Sequence, residues 1–176
     1  MPKYTLTKLE AARRQIETAV RLYFLGGDTV SIHTLAAAGC NLLVNLCTHR
    51  GANSPLLLAN MIGAFVKPEH HKKVRDTIRA PENFFKHADR DPEGSIIFNP
   101  ESSEFFLLEA IEAYATLTGE IPASFSTFRM WWLLQHPDLL KDPPEHLMRY
   151  LGQGSYGDHQ RAKFYADAMA AVANLG

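Results

Sequence analysis

The stretch TLTKLEAARRQIETAVRLYFLGGD, residues 5–28, constrains the fold more than any other part of the chain. Leu9, Ala12, Ile16, Ala19, Val20, Tyr23 and Phe24 recur at steps of three and four. That spacing gathers them on one face of a helix, whereas a strand, with its period of two, would scatter them over both faces. Thr7 followed by Glu10 forms a capping box, and Gly26-Gly27-Asp28 supplies the stop. A helix with a single apolar stripe has to bury it against partners. The rest of the chain is therefore read for what could pack on it.

More helices follow. SIHTLAAAGCNLLVNLCTHRG, residues 31–51, is capped by Ser31 or by Asp28 just before it, and Gly51 ends it. Its AAAG run, Ala36–Gly39, lacks side-chain bulk, which lets another helix approach closely. A short apolar helix, SPLLLANMIGAF, occupies 54–65, and KPEHHKKVRDTIRAPENFFKHA follows at 67–88. Pro68 suits a first helical turn, while Pro81 removes a backbone donor and predicts a kink or break at Ala80. NPESSEFFLLEAIEAYATLTGE, residues 99–120, opens with Asn99 as N-cap, Pro100 behind it and Glu101 and Glu104 in the first turn. Phe105, Leu108, Ile111 and Ala115 are expected to form its buried stripe.

Beyond Gly119 the texture turns proline-rich, with apolar pieces too short for long helices, before a last helix in DHQRAKFYADAMAAVANL, residues 158–175. Only SIIF, 95–98, resembles a strand. The expected fold is all-α: an antiparallel helical bundle over residues 1–119 and a Pro-rich short-helix annex over 120–176, together one domain. A chain of 176 residues is long enough for a real core. Net charge is −1, so any contact with a phosphate backbone needs a local basic patch rather than a global pull. Cys40 and Cys47 lie about two helical turns apart, roughly 10 Å of rise, too far for a disulfide within one helix. Two buried thiols, no leader-like apolar stretch at the N-terminus and no uninterrupted span for a bilayer predict a cytoplasmic protein with no membrane partner.

The chain carries no P-loop, no dinucleotide-binding glycine fingerprint, no serine nucleophile elbow, no CxxC and no HExxH. No cofactor is implied. The eight histidines lack paired zinc-ligand spacing; adjacent His70 and His71 diverge by about 100° on a helix. Chemistry is left to NFFKHADRDPEGSIIFNPE, residues 83–101, and the helix before it. Asn83 and His87, four apart, share a helical face, and Arg79, four before Asn83, extends the row if Pro81 does not disturb it. A guanidinium forks onto phosphate oxygens and an imidazole exchanges protons near neutral pH. His70, Lys72, Lys73, Arg75 and Arg79 make the preceding segment basic, as a phosphate-contacting helix or as a solvated face.

A helical bundle carrying RAPENFFKHAD resembles the HEPN superfamily, whose members carry an Arg, usually followed by a polar residue, and a His a few positions on. The segments SIHTLAAA and FFKHAD are also similar to ones in uncharacterised bacterial proteins. The HEPN resemblance implies nucleotide or RNA binding and, as in many members, a dimeric, metal-independent ribonuclease. It carries His87 and Arg79 over as catalytic residues, with Asn83 in support from helical spacing. This sequence departs from the pattern in two ways. Ala80 stands where a polar residue is usual, and seven residues separate Arg79 from His87. Eight steps along a helix leave those side chains roughly 80° apart and ~12 Å along the axis, so they are expected to meet across a homodimer rather than within one chain.

Two other readings stay open. DRDPEGSI resembles the start of an EF-hand loop, with Asp89, Asp91 and Glu93 at positions one, three and five of a segment 89–101. Position twelve, where a calcium loop needs its bidentate Glu, is Pro100. The other is a non-catalytic interaction or structural bundle, in which Phe84 and Phe85 plug the core and Lys86 and His87 stabilise a helix C-terminus. Adjacent Trp131 and Trp132 point different ways, either both closing the core or one of them serving an interface with Phe128.

Overall fold

In the computed structural model the residues described are 3–53, 62–63, 66–89, 91–136, 157 and 160–173. Among them the chain is all helix and irregular connection, with no strand. The helices are α1 (Lys8–Phe24), α2 (Thr29–Arg50), α3 (His71–Lys86, entered through a 3₁₀ turn at Pro68–His70), α4 (Ser102–Thr118), α5 (Ala123–Gln135) and α6 (Arg161–Ala173). The short apolar helix expected at 54–65 and the Pro-rich turns expected at 137–156 lie outside the described residues, apart from helical Ile62 and Gly63.

Capping follows the letters closely. Thr7 Oγ1 accepts from Glu10 N at 3.1 Å, and Asp28 Oδ1 accepts from Ser31 N at 2.8 Å, which starts α2 four residues after α1 ends. So short a connection folds the two helices back on each other as an antiparallel hairpin. Gly51 and Gly119 end α2 and α4 at φ 62° and 74°, a left-handed conformation that costs glycine nothing.

α2 runs through the middle of the bundle, between α1 and α4. Its length and composition would suit a membrane span. In the bundle that apolarity serves helix contacts instead: Ile32, Ala36, Ala37, Gly39, Cys40, Leu43 and Cys47 are all buried. The AAAG run does what its lack of bulk predicts. Gly39 lies so close to α1 that a Cβ there would stand 2.7 Å from Ile16 Cδ1, 2.8 Å from Ile16 Cγ1 and 3.3 Å from the Ala12 carbonyl oxygen. Both cysteines are free, and Cys47 Sγ donates to the Ala113 carbonyl of α4 at 3.6 Å.

The end of the bundle where α1 stops and α2 begins is closed by rings. Phe24, at the end of α1, packs edge-on against Phe128 and Trp131 of α5 and face-on against Phe164 and Tyr165 of α6, with centroids 4.8–6.3 Å away. Trp131 is buried, while Trp132 is partly covered and leans on His136 at 4.6 Å.

Three local expectations are corrected. α3 runs through Pro81 without a break, because the helix is held from both sides: Ile78 packs on the core, and Glu82 is buried against Asn41 of α2. Asn99 does cap the turn, its Oδ1 accepting from Glu101 N at 3.1 Å, but Pro100 and Glu101 form an entry turn and α4 proper begins at Ser102. The buried face of α4 is broad, Phe106–Ile111 with Ala113 and Tyr114, because α1, α2 and α5 all pack on it. Phe105, expected inside, is 48% exposed.

The α1–α2 seam makes a direct prediction. Replacing Gly39 by Ala should gain about 1 kcal/mol of helix propensity yet lose about 1–3 kcal/mol to overpacking, since buried Ile16 has nowhere to move. Urea unfolding should show net destabilisation of Gly39→Ala and recovery when Ile16→Val is added. A Gly39→Ala protein more stable than wild type would refute the close approach.

Candidate functional site

α3 has an inner edge and an outer face, and the candidate residues divide between them. Ile78 and Phe85 turn inward; Asp76, Ala80, Asn83 and His87 share the outward stripe that helical spacing prescribes. His87 is the C-cap of α3, with extended backbone (φ −131°, ψ 104°), and its side chain is 46% exposed. It lines a groove of about 380 Å³ with Asn83, Asp76 and Asp91. Its Nδ1 stands 3.7 Å from Asp89 Oδ1, so the acidic turn faces one ring nitrogen and leaves Nε2 for whatever enters. Asp76 is paired to Lys72 at 2.5 Å.

Arg79 does not join that groove. Its positive charge favours the ionised forms of Glu109 and Cys40. Asn83 and His87 line the groove together, while Arg79, one turn before Asn83 on the same unbroken helix, is outside the lining. Lys73, Arg75 and Arg79 are exposed and form no ion pair with any described residue. Of the loop carboxylates, Asp89 turns to His87 and Asp91 lies against Gly94. Among the described residues no three His, Cys, Asp or Glu side chains gather as metal ligands would.

What holds this stretch in place is a residue the sequence left unremarked. His33 of α2 is fully buried and ringed edge-on by Phe85 of α3, Phe98 of the connecting segment and Phe106 of α4, at centroid distances of 5.7, 5.1 and 5.2 Å. Its Nδ1 shares a 3.1 Å hydrogen bond with buried Ser103 Oγ, and its Nε2 has no partner. Burial lowers the pKa of the imidazole; nearby Glu82 opposes that and Lys86 adds to it. Glu82 itself accepts from Asn41 Nδ2 at 2.6 Å and from Lys86 Nζ.

Two further polar clusters were missed because their members are far apart in sequence. Cys40 of α2 and Glu109 of α4 hydrogen-bond in the interior, where burial raises both pKa values. Next to Ser103, where α1 ends, the Tyr23 hydroxyl donates to Glu104 Oε1 at 2.7 Å and accepts from Trp131 Nε1 at 3.3 Å. Arg161 lies over the Tyr23 ring at 4.6 Å, and His136 Nε2 is 3.5 Å from Glu104 Oε2. Burial foremost, and then the Glu104 charge, push the Tyr23 phenol well above its ordinary range. The only available signal was a charged residue on an otherwise apolar helix: Glu104 and Glu109 both sit among the apolar letters of α4.

Comparison with protein-family models, with curated proteins and with solved structures finds no match. The site is therefore read from its own geometry.

The neutral imidazole of His33 sets an acid limit on stability. Its folded pKa lies below the ordinary value of 6.5, so the unfolded chain takes up a proton that the native state excludes. The contribution is fully present above the unfolded pKa and is lost as pH falls from about 6.5 toward the folded value. Melting temperatures between pH 7.5 and 5 should decline in wild type and flatten in His33→Phe. Parallel curves would show that His33 does not titrate with folding.

Proposed function

We propose that this protein is a HEPN-like helical bundle that handles nucleotide or RNA on the outer face of α3, with His87 as its acid–base group. The observation that carries the reading is the position of His87: half exposed at a helix end, in a groove with Asn83, with Asp89 beside Nδ1 and Nε2 open. An aspartate on that side orients an imidazole and stabilises it when charged. Flanking phosphates of a longer strand would be held by the exposed cations Lys73 and Arg75, which have no carboxylate partner among the described residues.

In the catalytic form Nε2 takes the proton of a ribose 2′-hydroxyl as its oxygen attacks the adjacent phosphorus, or returns a proton to the departing 5′-oxygen. The reaction needs no metal. The guanidinium that stabilises charge on the reacting phosphate is not the same chain's Arg79, which stands ~12 Å along the helix axis from His87 and outside its groove. It comes from a second copy, which makes the active species a homodimer. The non-catalytic interaction reading draws on a different observation, the exposed Ile97 and Phe105 near the same end of the bundle. It predicts binding without cleavage.

Single-stranded RNA incubated with the protein in excess EDTA tests both. His87→Ala should lower cleavage about 100-fold or more. Arg79→Ala should do likewise, and a mixture of the two variants should regain activity through mixed dimers. Lys73→Glu with Arg75→Glu should weaken RNA binding and flatten its salt dependence, by about 0.7 in log–log slope per lost contact. Equal cleavage by wild type and His87→Ala, or none by either, removes the catalytic reading.

A further inference from the structure

A second concavity, about 410 Å³, opens on the other side of α3 from His87, between that helix and the start of α4. Ligand sites have this size and character: mostly apolar walls with a few converging polar groups. Ile78, Pro81, Ile97, Phe105 and Phe106 supply the apolar walls. Ile97 is fully exposed and Phe105 half exposed.

Most of the polar groups here are acceptors; the side-chain amide of Asn99, whose Oδ1 is taken by Glu101 N, is a donor among them. Glu109, 6% exposed, is the one ionisable residue among the described residues of the lining. Thr77 also lines it, and Pro81, having no N–H, leaves the Thr77 carbonyl without its usual helical donor. The Ser102 hydroxyl spends its proton on the Asn99 carbonyl, so it too offers only lone pairs. The start of α4, which would otherwise attract an anion, is occupied by Asn99 Oδ1 on Glu101 N. Arg79 lies near Glu109 but outside the lining. The rings of Phe105 and Phe106 can accept a cation over their faces.

We propose that this cavity binds a small amphiphilic amine, its apolar body between Ile78, Ile97 and Phe105 and its ammonium head donating to Glu109 and the Thr77 carbonyl. A carboxylate head would meet a buried carboxyl and is excluded; an alcohol would fit the walls yet lack the charge. Burial makes Glu109 hold its proton more readily than an ordinary glutamate, against the charge of Arg79 on α3 and the hydrogen bond of Cys40 on α2, which both favour the carboxylate. The preference for an amine is thus greatest at neutral pH and above, and fades as acid neutralises the carboxylate.

Titrating the full-length protein with n-hexylamine, n-hexanol and hexanoate, followed by amide chemical shifts, decides the matter. Hexylamine should bind at least about tenfold more tightly than hexanol at pH 7.5. Hexanoate should bind least, and shifts should concentrate at residues 77–81 and 97–109. Glu109→Gln should keep hexanol binding but lose the amine preference, and in wild type the preference should shrink toward pH 5. Should Glu109→Gln fail to fold, Ile97→Lys, a change at a fully exposed position, should weaken hexylamine more than hexanol. Equal affinity for amine and alcohol, an amine preference that survives Glu109→Gln, shifts elsewhere on the molecule or no binding at all would each overturn the proposal.

Discussion

The close approach of α2 to its neighbours is the constraint on which the other contacts rest. Ala36, Ala37 and Gly39 keep that helix thin enough for Ile16 and Ala12 of α1 to lie almost against its backbone. A bulkier α2 would push α1 and α4 outward together, and the Phe24–Trp131 ring cluster at the end of α1 would lose its spacing. Dispersion falls away steeply with separation, so even a gap of an ångström across that cluster would forfeit much of its contact energy. Thin helices pack by contact rather than by side-chain volume, and this explains how α2, apolar enough to suit a bilayer, comes to lie between two other helices.

The same helix also fixes the candidate site, through a polar residue. His33 projects from α2 into a cage made by three separate pieces of chain, and Ser103 fixes one of its nitrogens. Three aromatic edges around one ring anchor the end of α3, the segment that follows it and the first turn of α4. Those are the pieces that present His87, Asp89 and the walls of the apolar cavity. An unpartnered buried nitrogen costs about 1–3 kcal/mol. An apolar residue would spare that cost but lose the bond to Ser103 and leave a second polar atom stranded.

What the letters disclosed was local. The capping residues Thr7, Asp28 and Asn99, the stops at Gly51 and Gly119 and the stripe of α1 all depend on neighbours within four positions, and all were legible. Pro81 was misread because its local cost is real but is met by contacts from α2 and the core. Phe105 was misread because a helix with partners on several sides buries a broad arc, and periodicity alone does not say which edge stays open. His87, Asn83 and Arg79 were legible as residues; that Arg79 stays outside the groove that the other two line was only hinted at by the eight-step rotation. The pairs Cys40–Glu109, Glu104–Tyr23 and His33–Ser103 join positions 69, 81 and 70 apart, and no local pattern encodes such separations.

That division of α3 bears on what the helix can do. A helix lying in a surface groove offers two flanks, and in α3 each flank meets different chemistry. On one, an open imidazole beside a carboxylate faces water. On the other, a proline-freed carbonyl and a buried carboxyl face an apolar hollow. Arg79 lines neither the groove nor the hollow, and its charge favours the ionised forms of the buried Glu109 and Cys40. The proline that α3 tolerates at position 81 is thus what sets its two flanks apart: it frees a carbonyl on the apolar side and leaves the helix unbroken to carry Asn83 and His87 on the other.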